Sequence, residues 1–187
     1  TIQGVIERSL TSILKKATRV YASGRTDSGV HARGQVFHFD ADWAHSDAEL
    51  HRAFGSNMPK DIQITSVKQT PSAFHARFSA TGKRYRYSLH NRFASPMETR
   101  YTWSLGRKLD IEPMREASEI LRGEHDFRAF ASRRNDGTDE TLNPVKNLYR
   151  IDVISKGQKI DIIAEADGFL YKMVRSLTGA LVEAGLG

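Results

Sequence analysis

The 187 residues of this chain suit one domain or two small lobes, and 39% of them are hydrophobic, enough for a sizeable core. The chain has no cysteine, which excludes disulfides, thiol catalysis and thiolate metal sites and fits a reducing, cytoplasmic location. We find no run of about eighteen apolar residues and no basic-then-apolar leader, so we expect neither export nor a membrane segment. The net charge of +6 favours a polyanionic partner.

The first predicted element is an amphipathic helix over residues 2–16, one face of which we expect to pack on a sheet. Its apolar side chains recur at helical spacing: Ile2, Val5, Ile6, Leu10, Ile13 and Leu14. Residues 19–22 are typical of a short strand that enters a loop, and residues 35–40 of the strand that leaves it.

The loop between these strands reads Ala-Ser-Gly-Arg-Thr-Asp-Ser-Gly-Val-His-Ala-Arg-Gly over residues 22–34. It contains three glycines, Gly24, Gly29 and Gly34. Because glycine allows positive φ and close backbone approach, the segment can present Arg25 and Asp27 from a tight loop. By composition alone an ordinary polar surface turn is the alternative, since turns use the same residue types.

A second helix and a further strand are predicted before residue 70. Ser46 or Asp47 can cap a helix that passes through Leu50 and Phe54 and ends at the Asn57-Met58-Pro59 step. The strand is indicated by alternating apolar residues: Ile62, Ile64 and Val67.

Residues 77–108 form a basic stretch interleaved with aromatic side chains. Its only acid is Glu98, and its basic residues are Arg77, Lys83, Arg84, Arg86, Arg92, Arg100, Arg107 and Lys108. Such a stretch can neutralise phosphates and stack on unpaired bases, the two contacts that looped RNA offers. The alternative is a solvated charged face.

A half-buried strand is predicted inside this stretch. One face carries Tyr85, Tyr87 and Leu89, and the other carries Arg84, Arg86 and Ser88. By position alone, a tyrosine on such a strand is more often a core residue than a catalytic one.

The remaining elements are two helices and a hairpin. We expect a helix over residues 113–122, with Pro113 as its first residue and Gly123 as its stop. Residues 123–130 are predicted to be a turn held by hydrogen bonds. Because no nucleophile adjoins His125 and Asp126, they are not interpreted as an acid/base pair. A polar loop over 132–141 leads to strands over 145–154 and 159–166, joined across Lys156-Gly157-Gln158.

The final segment is predicted to be a helix. Its apolar stripe consists of Leu170, Met173, Val174, Leu177 and Leu181. Arg175 lies off this stripe by roughly a third of a turn, so helical geometry alone makes it a solvated residue.

Other site chemistries lack their motifs. The seven histidines include no His-Glu-x-x-His pair, and His31 with His38 lacks a supporting third ligand, so we expect no metal. There is no phosphate-binding Gly-x-x-x-x-Gly-Lys loop and no Gly-x-Ser-x-Gly elbow. No second acid in a comparable context suggests a paired-carboxylate glycosidase.

Four blocks, in order, resemble TruA-type tRNA pseudouridine synthases. Residues 24–32 match the family pattern Gly-Arg-Thr-Asp-Ala-Gly-Val-His-Ala except at Ser28. Residues 74–87 resemble Phe-His-Ala-Arg-Phe followed by small residues, a basic residue and Tyr-Arg-Tyr. Residues 123–127 resemble Gly-x-His-Asp-Phe, and residues 169–175 resemble Phe-Leu-x-x-Met-Val-Arg.

This resemblance implies roles for particular residues. Asp27 matches the essential catalytic carboxylate, and Arg175 matches the arginine that reaches it, which would pair the two across a cleft. Tyr85 matches the tyrosine that packs against the target base. Since a base must be flipped out before it can react, we expect Arg25, beside Asp27, to fill the vacated place. The sequence leaves open whether Asp27 acts as a nucleophile or as a base.

The fold implied by the resemblance is α+β, with a mixed, largely antiparallel sheet, helices packed on it and two related lobes around a basic cleft. We expect an N-terminal lobe over residues 1–105, with the Asp loop and the Tyr strand, and a C-terminal lobe over residues 106–187, with the Arg-bearing helix. Together they would form one catalytic domain.

The implied activity is the conversion of uridine to pseudouridine in the anticodon stem-loop region of tRNA, at tRNA positions 38 to 40. The resemblance implies a homodimer that needs no cofactor. Family members usually carry a strand before the first helix and another after the last, and we expect a fragment because neither stands here. The alternative function is an inactive RNA-binding fragment of the same fold, which the intact Asp27, Tyr85 and Arg175 disfavour.

Overall fold

The computed structural model describes residues 1–133 and 143–187. The chain divides into two compact units, Thr1–Ala80 and Thr81–Gly187. The predicted lobes, 1–105 and 106–187, place the boundary later, but strand pairing assigns the segment after residue 80 to the second unit. Within the described ranges, none of the helices has the length and apolar character needed to cross a membrane.

The first unit contains two helices and a short antiparallel strand pair. Its elements are α1 (Ile2–Leu14), β1 (Tyr21–Ala22), β2 (Phe37–His38) and α2 (Asp47–Asn57). The two strands pair with Tyr21 opposite His38, and they are shorter than predicted. Ser46 caps α2, and the Glu49 carboxylate accepts from the Ser46 amide in return, so α2 begins where predicted.

The core of this unit lies between α1 and α2. Its buried members are Ile6, Leu10, Val20, Leu50 and Phe54. The expectation that α1 packs on a sheet was therefore wrong in its partner, because the apolar face of α1 meets α2 and the side chains around the short strand pair.

The predicted strand through Ile62, Ile64 and Val67 was also wrong. Ile64 and Val67 do pack against the core, but their segment is fixed to α2 by side chains rather than by a strand ladder. His51 Nε2 donates to the Ile64 carbonyl at 2.7 Å, and the Gln69 amide donates to the Asp47 carboxylate at 3.0 Å.

The second unit is a five-stranded sheet with two helices. Its elements are β3 (Lys83–His90), β4 (Trp103–Ser104), α3 (Ile111–Leu121), β5 (Gly123–Asp126), a 3-10 helix (Arg128–Phe130), β6 (Val145–Lys156), β7 (Lys159–Ala166) and α4 (Met173–Leu186). The strand order is β4-β3-β7-β6-β5, antiparallel throughout except for the parallel pair β3 and β4. The predicted α+β class with a largely antiparallel sheet is thus confirmed.

Strand β3 belongs to the second unit because it pairs with β7 along its whole length, from Lys83 opposite Ala166 to His90 opposite Lys159. The β6–β7 hairpin was predicted correctly, and Gly157 supplies the positive φ, 63°, of its turn. Side chains of the strands and of α3 and α4 share one core, which includes Leu89, Met114, Leu148, Ile162, Met173 and Leu177.

Two predicted boundaries in this unit need correction. Helix α3 begins at Ile111 because the Asp110 side chain caps it, accepting from the Glu112 amide at 3.2 Å, and Pro113 is tolerated in the first turn. The segment after Gly123 is strand β5 rather than a turn, although His125 and Asp126 do form structural hydrogen bonds, to the Arg122 carbonyl and the Arg128 amide. Most of the predicted polar loop over 132–141, namely residues 134–141, lies outside the described residues.

Candidate functional site

The loop that carries Asp27 joins β1 to β2 and is closed at its base by hydrogen bonds. The Ser23 amide donates to the Val36 carbonyl at 2.8 Å. Ser23 Oγ donates to Gln35 Oε1 at 2.6 Å, and Gln35 Nε2 donates to the Gly24 carbonyl at 2.7 Å. Side chains thus continue the pairing of the short strands into the loop, which fixes where its tip begins.

A tight turn at the loop tip positions Asp27. The Val30 amide donates to the Asp27 carbonyl at 3.1 Å, and Gly29 at the third turn position has φ 80°. This arrangement fits a type II turn, which requires positive φ at that position. Asp27 is half-buried and Arg25 is exposed. Of the three loop glycines, it is Gly29 that takes the left-handed conformation the sequence suggested.

Tyr85 lies on β3 in the second unit and is half-buried. Its ring meets Phe169 edge to face, with centroids 5.2 Å apart. Its partner in the β3–β7 register is Ala164, a small residue that crowds a neighbouring aromatic ring little. The alternation of β3 is as predicted, since Tyr85, Tyr87 and Leu89 are at least half-buried while Arg84 and Arg86 are exposed.

Arg175 is exposed in the first turn of α4 and lines an open groove of about 520 Å³. The other lining residues are Tyr87, Trp103, Ser132, Lys172, Ser176 and Gly179. Tyr87 and Trp103 meet at a steep angle of 71°, with ring centroids 6.3 Å apart. The groove therefore combines aromatic surface with two basic side chains inside the second unit.

The start of α4 adds positive potential to this groove. Lys172 precedes the helix in the left-handed conformation, with φ 60°, and its carbonyl accepts from the Arg175 and Ser176 amides. The first turn contains no acidic residue. Because the helix dipole is positive at this end, Lys172, Arg175 and the backbone all favour an anion.

The sequence analysis singled out Arg175 but not its groove neighbours. Tyr87 was placed on the same face of the strand as Tyr85, and Lys172 stands three residues before Arg175, a spacing that brings helical side chains together. Trp103 and Ser132 come from distant segments, so no local pattern linked them to Arg175.

The basic stretch 77–108 is partly neutralised within the second unit. Arg84 lies 2.8 Å from the Glu165 carboxylate, and Arg86 lies 4.0 Å from that of Asp161. These arginines hold β3 to β7 as well as contributing charge. The exposed basic side chains elsewhere in the stretch are Arg77, Arg92, Arg100, Arg107 and Lys108.

Glu98, the acid of this stretch, is held by hydrogen bonds from Lys159 and from Ser95. The Ser95 hydroxyl donates to it at 2.8 Å. Hydrogen bonding to Lys159, followed by the bonds from Ser95, lowers the pKa of Glu98 to about 2. Glu98 therefore remains ionised and anchors the segment between β3 and β4 to β7.

The four proposed site residues fall into two groups. Arg25 and Asp27 share one loop of the first unit, whereas Tyr85 and Arg175 belong to the second unit. Within residues 1–133 and 143–187, no cluster of three or more His, Asp or Glu side chains could hold a metal ion.

Comparison with known proteins matches both units. The sequence profile of a family described as tRNA pseudouridine synthase matches residues 1–79 and 117–187. A protein from Listeria innocua named tRNA pseudouridine synthase A is 42% identical over 190 residues, covering 100% of this chain and 75% of its own length. A protein of the same name from Chlamydia pneumoniae is 42% identical, and the match covers 100% of this chain and 70% of that protein. Another, from a Geobacillus strain, is 40% identical, and the match covers 100% of this chain and 75% of that protein.

Proposed function

Because this chain belongs to the tRNA pseudouridine synthase family, we propose that it acts in the anticodon stem-loop region of tRNA, at tRNA positions 38 to 40. The chain is an isomerase that converts uridine to pseudouridine in tRNA, a reaction that needs no cofactor. The site within the tRNA is supported by the resemblance of residues 24–32, 74–87 and 169–175 to the TruA-type pattern.

The reaction is a rearrangement within one nucleoside. The bond from uracil N1 to ribose C1′ breaks, the uracil turns over, and a bond from C5 to C1′ forms. C5 loses its proton and N1 gains one, so no atoms are added and no oxidant or reductant is required. The protein has to supply a carboxylate, hold the detached base and exclude competing reactions.

We assign the carboxylate to Asp27. The observation that carries this assignment is the ordered turn in which the Asp27 carbonyl accepts from Val30 while Gly29 takes positive φ. An ionised carboxylate on such a turn can serve as a nucleophile toward C1′ or as a base toward a ribose proton. In both cases a fixed backbone helps, because a small misplacement of a reacting group can cost a large factor in rate.

Arg175 is the second proposed catalytic residue. It sits in the groove at the positive end of α4, where an anionic carboxylate or phosphate is favoured. Its pairing with Asp27, which the family pattern implies, stays a prediction. A double-mutant cycle of Asp27→Asn and Arg175→Gln measures it, since two residues that act together have strongly non-additive effects on kcat.

Tyr85 and Arg25 are the proposed substrate-binding residues. The Tyr85 ring is braced edge to face by Phe169, so it can stack on the detached uracil without first becoming ordered. Arg25 is exposed on the Asp27 loop, where it can fill the space that a flipped base leaves in the stack. Flipping costs a few kcal/mol of lost stacking, which such contacts offset.

The family also supports proposals about assembly and location. We propose that the enzyme works as a homodimer and that tRNA is its partner, with the exposed basic side chains gripping phosphates without reading sequence. We place it in the cytoplasm, in keeping with a chain free of cysteine.

The proposal about position is tested by mapping pseudouridine in a tRNA transcript. The transcript is incubated with the chain, treated with a carbodiimide that marks pseudouridine, and read by reverse transcription. We expect the stops to report pseudouridine at tRNA positions 38 to 40. After incubation with Asp27→Asn we expect no such stops. Stops confined to another arm of the tRNA would contradict the assigned position.

A further inference from the structure

The first unit contains a cluster of aromatic rings at the base of the Asp27 loop. Tyr21 and His38, the residues of β1 and β2 that face each other, stack with centroids 5.2 Å apart. His38 meets His75 at 4.5 Å, and His75 meets Phe78 at 4.4 Å. The cluster thus extends from the strand pair that frames the Asp27 loop to Phe78.

Hydrogen bonds fix the His75 ring and the backbone of Phe78 within this cluster. The Ser79 amide donates to the His75 carbonyl at 2.8 Å, and the His75 amide donates to Ser79 Oγ at 3.1 Å, which closes a tight turn. Inside that turn the Arg77 and Phe78 amides donate to His75 Nδ1 at 3.2 and 3.4 Å. The Ala76 amide likewise donates to His38 Nδ1 at 3.2 Å.

The turn points Phe78 into solvent rather than into the core. The side chain is 79% exposed, although the same unit has an apolar core between α1 and α2. Exposing a large apolar ring in a rigid turn forgoes the free energy of burying it. A ring held in this way is already ordered for a flat ligand.

A positive charge stands next to the exposed ring. The Arg77 guanidinium lies 5.9 Å from the Phe78 centroid, and Arg77 is itself exposed. A ring beside a cation matches one nucleotide of unpaired RNA, whose base offers a flat surface and whose phosphate offers a negative charge. A purely apolar partner would leave the guanidinium without a counter-charge, so this combination favours RNA over an apolar protein surface.

We propose that Phe78 is a stacking platform for an unpaired base of the RNA substrate, with Arg77 contacting a neighbouring phosphate. This platform rests on the proposed function, because it takes the RNA substrate as its ligand. It lies in the unit that carries Asp27, and Phe78 is not among the residues that line the Arg175 groove. Its role is to hold the substrate in register rather than to take part in the chemistry.

The test uses the full chain in an Asp27→Asn background, so that bound RNA is not modified. The variants are Phe78→Leu, which keeps an apolar side chain but removes the ring, and Phe78→Trp, which keeps a stacking surface. Tyr149→Leu is the matched control, because Tyr149 is 49% exposed but lies on β6 of the second unit, outside the basic stretch 77–108. The probes are anticodon stem-loop RNAs in which each loop base in turn is replaced by 2-aminopurine, a base whose fluorescence is quenched by stacking.

We expect Phe78→Leu to weaken RNA binding roughly 5- to 150-fold, the range that corresponds to one lost base–aromatic stack. Quenching at one loop position should disappear in Phe78→Leu, return in Phe78→Trp and be unchanged in Tyr149→Leu. The salt dependence of binding should stay the same, since no charge is removed. Arg77→Gln should instead reduce the salt slope by about one.

Unchanged binding and quenching in Phe78→Leu would overturn the proposal, and so would equal losses in Phe78→Leu and Tyr149→Leu. Light scattering tests whether the Phe78 ring instead contacts a second copy of the chain. If Phe78→Leu alters the oligomeric state while RNA affinity is kept, it does so and the platform is refuted. Turnover by the chain with Asp27 intact separates the two hypotheses. If the chain with Asp27 intact forms pseudouridine and Phe78→Leu binds RNA normally, the platform alone is refuted. If RNA binding depends on the Phe78 ring but the chain with Asp27 intact forms no pseudouridine, the proposed function alone is refuted.

Discussion

The Val30 amide donates to the Asp27 carbonyl oxygen at 3.1 Å, closing a turn whose third residue, Gly29, has φ 80°. The backbone of the proposed catalytic carboxylate is therefore set by a glycine two residues away. A side chain at that φ is strained even where space is available, and nothing lies within 4 Å of a Cβ built on Gly29.

Replacing this glycine should reduce both activity and stability. Gly29→Ala introduces roughly 1–2 kcal/mol of left-handed strain, which should lower kcat about 5- to 30-fold if the native turn is needed for the reaction. Gly34→Ala is the control, since a Cβ there also has open space and Gly34 does not require positive φ. Equal kcat values for the two variants would show that the turn does not position Asp27.

Two glycines of α4 should respond to alanine with opposite signs. A Cβ on Gly185 would lie 2.8 Å from Met114 Cγ and 2.9 Å from the Asp110 carbonyl oxygen, so Gly185→Ala should destabilise the protein by about 1–3 kcal/mol. A Cβ on Gly179 meets nothing within 4 Å, so Gly179→Ala should stabilise the helix by about 0.4–1 kcal/mol. Urea unfolding measures both. A loss of stability in Gly179→Ala would mean that the space beside α4 is not open.

Two lysines in the left-handed conformation allow strain and function to be separated. Lys172 and Lys15 have φ 60° and 55°. Glycine at either position should stabilise the chain by up to about 1.5 kcal/mol, because it removes roughly 1–2 kcal/mol of strain but adds roughly 0.5–1 kcal/mol of chain entropy to be lost on folding.

RNA binding should distinguish these two lysines. Lys172→Gly removes a charge from the Arg175 groove, so affinity for tRNA should fall and its salt slope should decrease by about one. Lys15 lies at the end of α1, and the Lys15→Gly variant should bind tRNA as the parent chain does. A parent-like salt slope in Lys172→Gly would remove the groove from the RNA-binding surface.

Glu98 gives a prediction about pH. Its pKa in the folded chain is lowered to about 2, mainly by Lys159 and then by Ser95, whereas an ordinary glutamate titrates near pH 4.3. A lowered carboxyl pKa stabilises the fold above the ordinary value, and that contribution is lost as the pH falls from about 4 to about 2. We expect amides of residues 95–101 to exchange faster in Glu98→Gln than in the parent at pH 7.

The same exchange difference should be smaller near pH 3, where the parent has lost part of this contribution. Glu183→Gln is the control, because Glu183 is an exposed carboxylate on α4 at a distance along the chain from this segment. An exchange difference in Glu98→Gln that stays constant from pH 7 to pH 3 would show that the Glu98 charge does not anchor the segment.

Local signals predicted much of this fold. The apolar spacing of α1, the Ser46 cap of α2, the alternation of β3 and the glycine turn of the β6–β7 hairpin each depend on residues close in sequence, and each was confirmed. The prediction of a strand through Ile62 and Ile64 was wrong, because alternation indicates an extended chain but does not show what that chain pairs with. Its partner is a helix side chain, His51, which no strand pattern reveals.

The site was predictable to a similar degree. The placement of Asp27 in a loop between two strands followed from local patterns, and the turn at Gly29 was among the options they allowed. The groove around Arg175 was not, because Trp103 and Ser132 reach it from parts of the chain far from α4. Helical spacing alone predicted that Arg175 is solvated. The structure adds that its exposed side chain lines a groove together with Trp103 and Ser132.

The most direct test of the central claim is the release of tritium from C5-labelled uridine in a tRNA transcript. The chain is compared with its Asp27→Asn variant, and RNA binding by both is measured in parallel. We expect release by the parent chain, loss of release in Asp27→Asn, and similar RNA affinity for the two. Release by both would contradict the role of Asp27, and RNA binding without release by either would contradict the activity itself.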